Sequence, residues 1–212
     1  MVSKKFLEEI CKANKTTIVK ERLNSDYYFD RRVITRNTEV TDGVYLSEDY
    51  NKEAIVVDSS RELRNSYQVA KWLAGLNGTI NEESILDAVH FLVECTFRER
   101  DLEMIDETIK GRGIQAGQKV SLGVYVLDMM GCCKHSALFV TYLLEQFKKE
   151  GYIEGVPRVN RNSVEVLDGA HAWCRYISEK GEEIIMDPLN LDRPMEIEQA
   201  LRFWPYYLPS ND

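Results

Sequence analysis

The sequence predicts an α+β fold in which one buried helix packs on an antiparallel sheet, and three observations predict it. Residues 131–150 form a strongly apolar helical run: Ala137, Val140, Leu144 and Phe147 recur at helical spacing, and Leu138, Phe139, Tyr142 and Leu143 widen the apolar face. Little but Ser136, Thr141, Glu145, Gln146 and the lysines is left to face water. Residues 163–167, 170–177 and 183–187 read as strands, with Asp168-Gly169 as the turn between the first two. Amphipathic helices over residues 61–98 supply a further layer around them. At 212 residues the chain can bury one core, so it reads as a single domain, 1–212, with 1–60 as an N-terminal extension.

From the N-terminus, Ser3 followed by Phe6, Leu7 and Ile10 predicts a short capped helix ending near Asn14. Residues 15–53 mix β-prone pieces, Thr16–Val19 and Val44–Leu46, with charges and an Asp42-Gly43 turn, and read as irregular with hairpin-like fragments. Ala54–Asp58 is a brief strand candidate. Ser59-Ser60-Arg61-Glu62 then opens a helix through Leu63, Tyr67, Ala70, Leu73 and Ala74 that ends near Asn77-Gly78. Asn81 can cap the next, whose stripe is Ile85, Ala88, Val89, Leu92 and Val93. Leu102, Ile105 and Ile109 keep helical spacing in a more exposed third helix. Lys119–Asp128 fits either an extended segment or a short helix. Gly151 and Gly155-Val156-Pro157 break the chain after the central run, and a last helix over 195–203 precedes an aromatic tail, Trp204 to Pro209, whose apolar surface favours packing.

A net charge of −8 disfavours phosphate-backbone binding, so nucleic acid is not an expected partner. Five cysteines, two of them adjacent, do not suit a disulfide framework and fit a reducing, cytoplasmic setting. The N-terminus brings in acids too early for a signal peptide, and no run reaches the roughly 18 apolar residues of a membrane span. Delivery into another cell by a signal-free route stays open. Neither a membrane nor a cofactor is expected as a partner, and the sequence leaves the oligomeric state undecided.

Cys133 lies in the first turn of the central helix, on the stripe that continues through Ala137. A helix N-terminus favours a thiolate, although a cysteine on a core helix is by itself ordinary. A thiol attacks an amide or ester carbonyl well only as thiolate, so it needs an imidazole to hold the proton and a carboxylate to orient and stabilise that imidazole. Cys133, His171 and Asp187 supply the three groups, with Cys132 as the alternative nucleophile. Whether His171 and Asp187 share a face depends on the hairpin between them. A three-residue loop at 179–181 sets Trp173 opposite Asp187 with His171 diagonal to it, a five-residue loop sets His171 directly opposite, and an even-numbered loop separates them. The Cys133 N–H can give one oxyanion donor, and Gln118, Gln115, Tyr125 and Trp173 are candidates for the second. His135 points elsewhere on the helix and reads as structural or lining the cleft mouth, and His90 as structural. Cys11, Cys95 and Cys174 read as buried. Cys132, Cys133 and His135 make the best metal cluster, but no Cys-x-x-Cys or His pair completes a tetrahedral site, so no metal is expected.

Four features occur in a fixed order: Gly131-Cys132-Cys133, Gly155-Val156-Pro157-Arg158, Gly169-Ala170-His171-Ala172-Trp173 and Met186-Asp187-Pro188. This order resembles the transglutaminase-like branch of the papain-like cysteine enzymes, over roughly residues 119–190. The resemblance implies a papain-like core with Cys133 as nucleophile, His171 as base and Asp187 as its orienting carboxylate. It also implies acyl transfer from a protein or peptide amide through a thioester, of protease, deamidase or transglutaminase type. The alternative is a catalytically silent binding module with the same fold. The chain departs from the family pattern in lacking an alanine between Pro157 and Arg158, and the papain-type glutamine is replaced by Leu127.

Overall fold

The computed structural model describes residues 26–46, 53–97, 102–115, 117–164 and 169–206. Two short strands, β1 (Tyr27–Tyr28) and β2 (Arg31–Arg32), form a hairpin, and β3 (Val44–Leu46) then pairs antiparallel with β4 (Ala54–Val56). Three helices follow: α1 (Arg61–Ala74), α2 (Glu82–Thr96) and α3 (Leu102–Gly111). The chain returns as β5 (Lys119–Ser121), parallel to β4, and passes directly into α4 (Leu122–Asp128) and the long α5 (Cys133–Lys149). A four-stranded antiparallel sheet closes the chain: β6 (Val156–Val164), β7 (Gly169–Ile177), β8 (Glu183–Met186) and β9 (Met195–Glu196), followed by the single-turn α6 (Ile197–Ala200). The protein is thus a mixed α+β structure. Among the described residues no helix is long and apolar enough to cross a membrane.

Local chemistry explains the helix starts. Ser60 caps α1 by accepting from the Leu63 N–H, and Asn81 caps α2 in a reciprocal pair with Ser84, at 2.9 and 3.0 Å. The ambiguous stretch 119–128 is both things in turn. Its first three residues complete a sheet beside β4, and Ser121, which also binds Asp58 at 2.7 Å, caps the helix that follows.

Three expectations need correction. Residues 156–162, read as a break before a strand at 163–167, already belong to β6. Pro157 is accommodated because β6 is an edge strand, where a missing N–H can face away from the ladder. The helix expected over 195–203 is a strand and one helical turn instead. Met195 and Glu196 pair with Ile185 and Ile184, which covers the open edge of β8. Ser136, Thr141 and Glu145, expected to face water, are buried because α5 is covered on all sides. Thr141 returns its hydroxyl to the Ala137 carbonyl at 2.8 Å, and Glu145 takes the Val40 and Thr41 N–H groups and the Thr41 hydroxyl at 2.6–2.9 Å. The helix near residues 3–14, Thr16–Val19, Cys11, Asp168 and residues 207–209 lie outside the described residues.

The period of two along β7 assigns its side chains to two layers. Ala172, Cys174 and Tyr176 join Val159, Met186 and the buried residues of α5, α2 and α1 in the principal core. Trp173 faces the other way, into a smaller core with Ile185, Leu191, Ala200 and Tyr206. The sheet therefore has α5 on one face and the C-terminal segment on the other, and the candidate site lies where the two layers meet.

Candidate active site

The β7–β8 ladder runs from Ile177↔Glu183 to Cys174↔Met186, and Ser178 closes it by donating its N–H to the Glu182 carbonyl at 2.9 Å. This is the three-residue loop 179–181, with Gly181 at φ +82° supplying the left-handed turn residue. Continuing the register places Trp173 across from Asp187 and His171 on the diagonal. His171 Nε2 meets Asp187 Oδ2 at 2.6 Å, with both side chains buried.

Asp187 is surrounded by donors. Its Oδ2 also accepts from the Tyr206 hydroxyl at 2.6 Å and from Asn190 Nδ2 at 3.0 Å, and its Oδ1 accepts from the Leu189 N–H at 3.3 Å. Burial resists ionisation of this carboxyl, but hydrogen bonding to and the charge of His171, with Tyr206 and Asn190, outweigh it and hold the group below the usual aspartate value. With Nε2 committed to Asp187, Nδ1 is the nitrogen left to take a proton from elsewhere, and among the described residues nothing hydrogen-bonds to it. The Trp173 ring stacks beside the imidazole at 6.1 Å and Trp204 meets it edge-on at 5.0 Å. Asn162 on β6 fastens the C-terminal segment in place, donating to the Pro205 carbonyl at 2.6 Å and accepting from Trp204 Nε1 at 3.2 Å.

Cys133 opens α5 and Cys132 is its extended N-cap residue. Gly131 before them has a steric reason: an added Cβ would lie 2.6 Å from the buried Phe97 ring. Gly155 is equally constrained, since a Cβ there would enter the Tyr176 ring at 2.1 Å. The Cys133 thiol packs against the principal core, where the backbone of Ala172, next to His171 in sequence, works against the upward push on its pKa. No hydrogen bond joins it to His171, because Cys133 approaches β7 from the α5 side while His171 shares the opposite face with Trp173. The structure thus joins His171 to Asp187, sets Cys133 beside the same strand, and does not join the thiol to the imidazole.

The neighbouring Cys133 thiol is the largest influence holding the Cys132 thiol well below the usual range; burial opposes this, and His135 and Lys134 reinforce it. Cys133 is pushed upward, first by Cys132 and then by burial. His135 is fully buried rather than at a cleft mouth, because it completes the cap of α5. Its Nδ1 accepts the Cys132 N–H at 3.1 Å and lies 3.4 Å from Cys132 Sγ, and the Tyr125 ring packs on it at 4.1 Å. Glu53 lies 3.9 Å from His135 Nε2 and pairs with Lys134 at 3.0 Å. Burial works against Glu53 ionising, yet Lys134 outweighs it and keeps the carboxyl below its usual range.

The oxyanion candidates separate. Trp173 lies beside His171 with a buried Nε1 that has no hydrogen-bond partner, Tyr125 lies beside His135, and Gln118 is exposed and turned to the Gln115 N–H at 3.0 Å. His90 is buried on α2, and Cys174 is buried with its thiol pushed up to about 12 by burial. Cys95, expected to be buried, is half-buried on α2. Among the described residues no group of three His, Cys, Asp or Glu side chains is placed to hold a metal ion. Sequence reading missed Asn190 and Tyr206. Asn190 follows Asp187 by three residues in a turn, a spacing that could have flagged it, whereas nothing local links Tyr206 to Asp187.

Comparison with protein families, with curated proteins and with solved structures finds no match to this chain.

Proposed function

We propose that the protein is a thiol-dependent acyl-transfer enzyme of papain-like architecture, acting on a protein or peptide amide through a thioester. The observation that carries this reading is the buried His171–Asp187 pair, tied at Nε2 so that Nδ1 remains as proton acceptor, beside a helix that opens on a cysteine. In the proposed reaction His171 Nδ1 takes the Cys133 proton, Asp187 stabilises the imidazolium, and the thiolate attacks the carbonyl carbon. The Cys133 N–H and Trp173 Nε1 are the proposed oxyanion donors. The protonated imidazole then gives its proton to the leaving amine, and water or a second amine releases the acyl group. Because Cys133 and His171 approach β7 from opposite faces, the reaction requires the start of α5 to move against β7 when substrate binds; the looser hydrogen bonds common in unliganded enzymes do not by themselves supply that movement.

The same missing contact favours the second reading, a binding module with this fold and no turnover. The two separate in an assay of ammonia or peptide release from glutamine-containing peptides, alongside labelling by a thiol-directed electrophile. The enzyme reading expects turnover that Cys133→Ala abolishes and Cys132→Ala retains. Loss in Cys132→Ala alone moves the nucleophile to Cys132. No turnover, with Cys133 labelled no faster than Cys174, leaves the binding module in front.

A further inference from the structure

Cys132 has an imidazole of its own, which the acyl-transfer reading does not use. His135 Nδ1 lies 3.4 Å from its sulfur, with the ring held by Tyr125 at 4.1 Å on its face and by the Cys132 N–H at 3.1 Å. Glu53 stands 3.9 Å from the far nitrogen, which has no hydrogen-bond partner among the described residues. Cys132 is the N-cap residue of a seventeen-residue helix, where the helix dipole favours a thiolate, and Lys134, paired with Glu53 at 3.0 Å, follows two residues on. Cys132 is half-buried, and the next residue in sequence, Cys133, carries a second half-buried thiol. An ionisable, accessible thiol with a proton acceptor on one side and another thiol on the other is the arrangement of an oxidation site with a resolving partner.

We propose that Cys132 is a site of oxidation by hydrogen peroxide and small alkyl hydroperoxides, with His135 as proton acceptor, Glu53 positioning His135, and Cys133 as the resolving thiol. His135 takes the Cys132 proton and the thiolate attacks the outer peroxide oxygen. The O–O bond breaks, sulfur is oxidised to the sulfenic acid, and the departing hydroxide, or the alkoxide of an alkyl hydroperoxide, takes the proton from His135 and leaves as water or as the alcohol. The Cys133 sulfur then attacks the Cys132 sulfur, an S–S bond replaces the S–O bond, and the second hydroxide leaves as water with the Cys133 proton. One hydrogen peroxide and two thiols thus become one disulfide and two waters, and one alkyl hydroperoxide gives the disulfide, one alcohol and one water. Neighbouring Cα atoms are only about 3.8 Å apart, below the usual disulfide span of roughly 4.4–6.8 Å. The ring is therefore strained and open to reduction by a dithiol, as suits a reversible modification. Resting on the proposed function, one further consequence is that the bond removes the acyl-transfer nucleophile. The oxidation itself does not depend on that function.

Intact-mass measurement of the full chain, treated with equimolar peroxide with and without dimedone and then mapped by peptide, tests this without any acyl-transfer assay. Wild type should lose about two mass units, the two thiol hydrogens, on the peptide holding Cys132 and Cys133, and regain them with dithiothreitol. Cys133→Ser should trap the sulfenic acid as a dimedone adduct on Cys132, whereas Cys132→Ser should form neither adduct nor disulfide at that dose. His135→Gln should slow oxidation at least about tenfold, with circular dichroism checking that it folds; if it does not, the two cysteine variants decide. An adduct on Cys133 in Cys132→Ser, first oxidation at Cys95 or Cys174, or Cys133→Ser without adduct overturns the proposal. Oxidation at Cys132 in a protein that shows no turnover supports it while removing the acyl-transfer reading, and turnover without this oxidation does the reverse.

Discussion

Asp187 Oδ2 gathers His171, Asn190 and Tyr206 at one atom, so replacing single groups around it should separate orientation from charge. Asp187→Asn keeps the shape but cannot stabilise an imidazolium, and it offers the wrong hydrogen-bonding partner to Nε2. Acylation measured in single turnover should fall by about two to four orders of magnitude; activity within a few fold of wild type removes Asp187 from the site. Tyr206→Phe deletes one donor to a buried carboxylate and leaves the ring packed on Trp173. It should cost about 1.5–3 kcal/mol in urea unfolding, the range for hydrogen bonds to charged groups, and slow acylation less than Asp187→Asn does. A Tyr206→Phe protein as stable as wild type would mean that the hydroxyl carries no net weight.

At the scale of elements, the approach to α5 is set by close contact and by one strained residue. Gly131→Ala forces a Cβ into the Phe97 ring, which is held by Phe139, and overpacking of this kind costs about 1–3 kcal/mol. Thermal unfolding should show the drop, and smaller side chains at Phe97 should partly restore it. Met129, the C-cap of α4, sits at φ +56° and is exposed. The left-handed conformation costs a non-glycine residue roughly 1–2 kcal/mol, so Met129→Gly should raise the melting temperature although it removes a side chain. A lowered melting temperature would show that the Met129 side chain contributes more than the backbone strain costs.

For the whole molecule, three buried carboxyls pull the pH dependence of stability in two directions. Asp187 and Glu53 are depressed in the folded state, so their contribution is present above the ordinary value, 3.8 for Asp187, and is lost as pH falls through the folded value. Glu145 is raised by burial, so its contribution is full below the ordinary glutamate value of 4.5 and is lost as pH rises through the folded one. Stability measured between pH 2 and 7 should therefore fall on acidification in wild type. In Asp187→Asn that fall should be shallower, and in Glu145→Gln the acid loss should be steeper because the opposing group is gone. An acid limb unchanged in Asp187→Asn would mean that the carboxylate gains nothing from its three donors.

Helix periodicity and cap residues were legible in the sequence because each depends on neighbours a few positions apart, whereas the length of the 178–182 turn was left open and the structure decided it as three residues. Periodicity and caps suffice to place Cys133 at a helix start, while bringing His171 and Asp187 to one face needed the three-residue turn. Tyr206, Asn162 and Glu53 were not legible, since they reach the site across separations of 19 to 81 residues that only packing closes. The strand at 156–162 was hidden because Pro157 forbids a central strand but not an edge one, and the edge exists only once the sheet is assembled. The sequence by itself thus determined the helices over 61–98 and 133–149 and the residue types of the site. Tertiary structure alone decided where Cys133 faces, because the path of α5 against β7 sets it beside Ala172 and not His171, whereas Cys132 meets His135 through the local cap of α5.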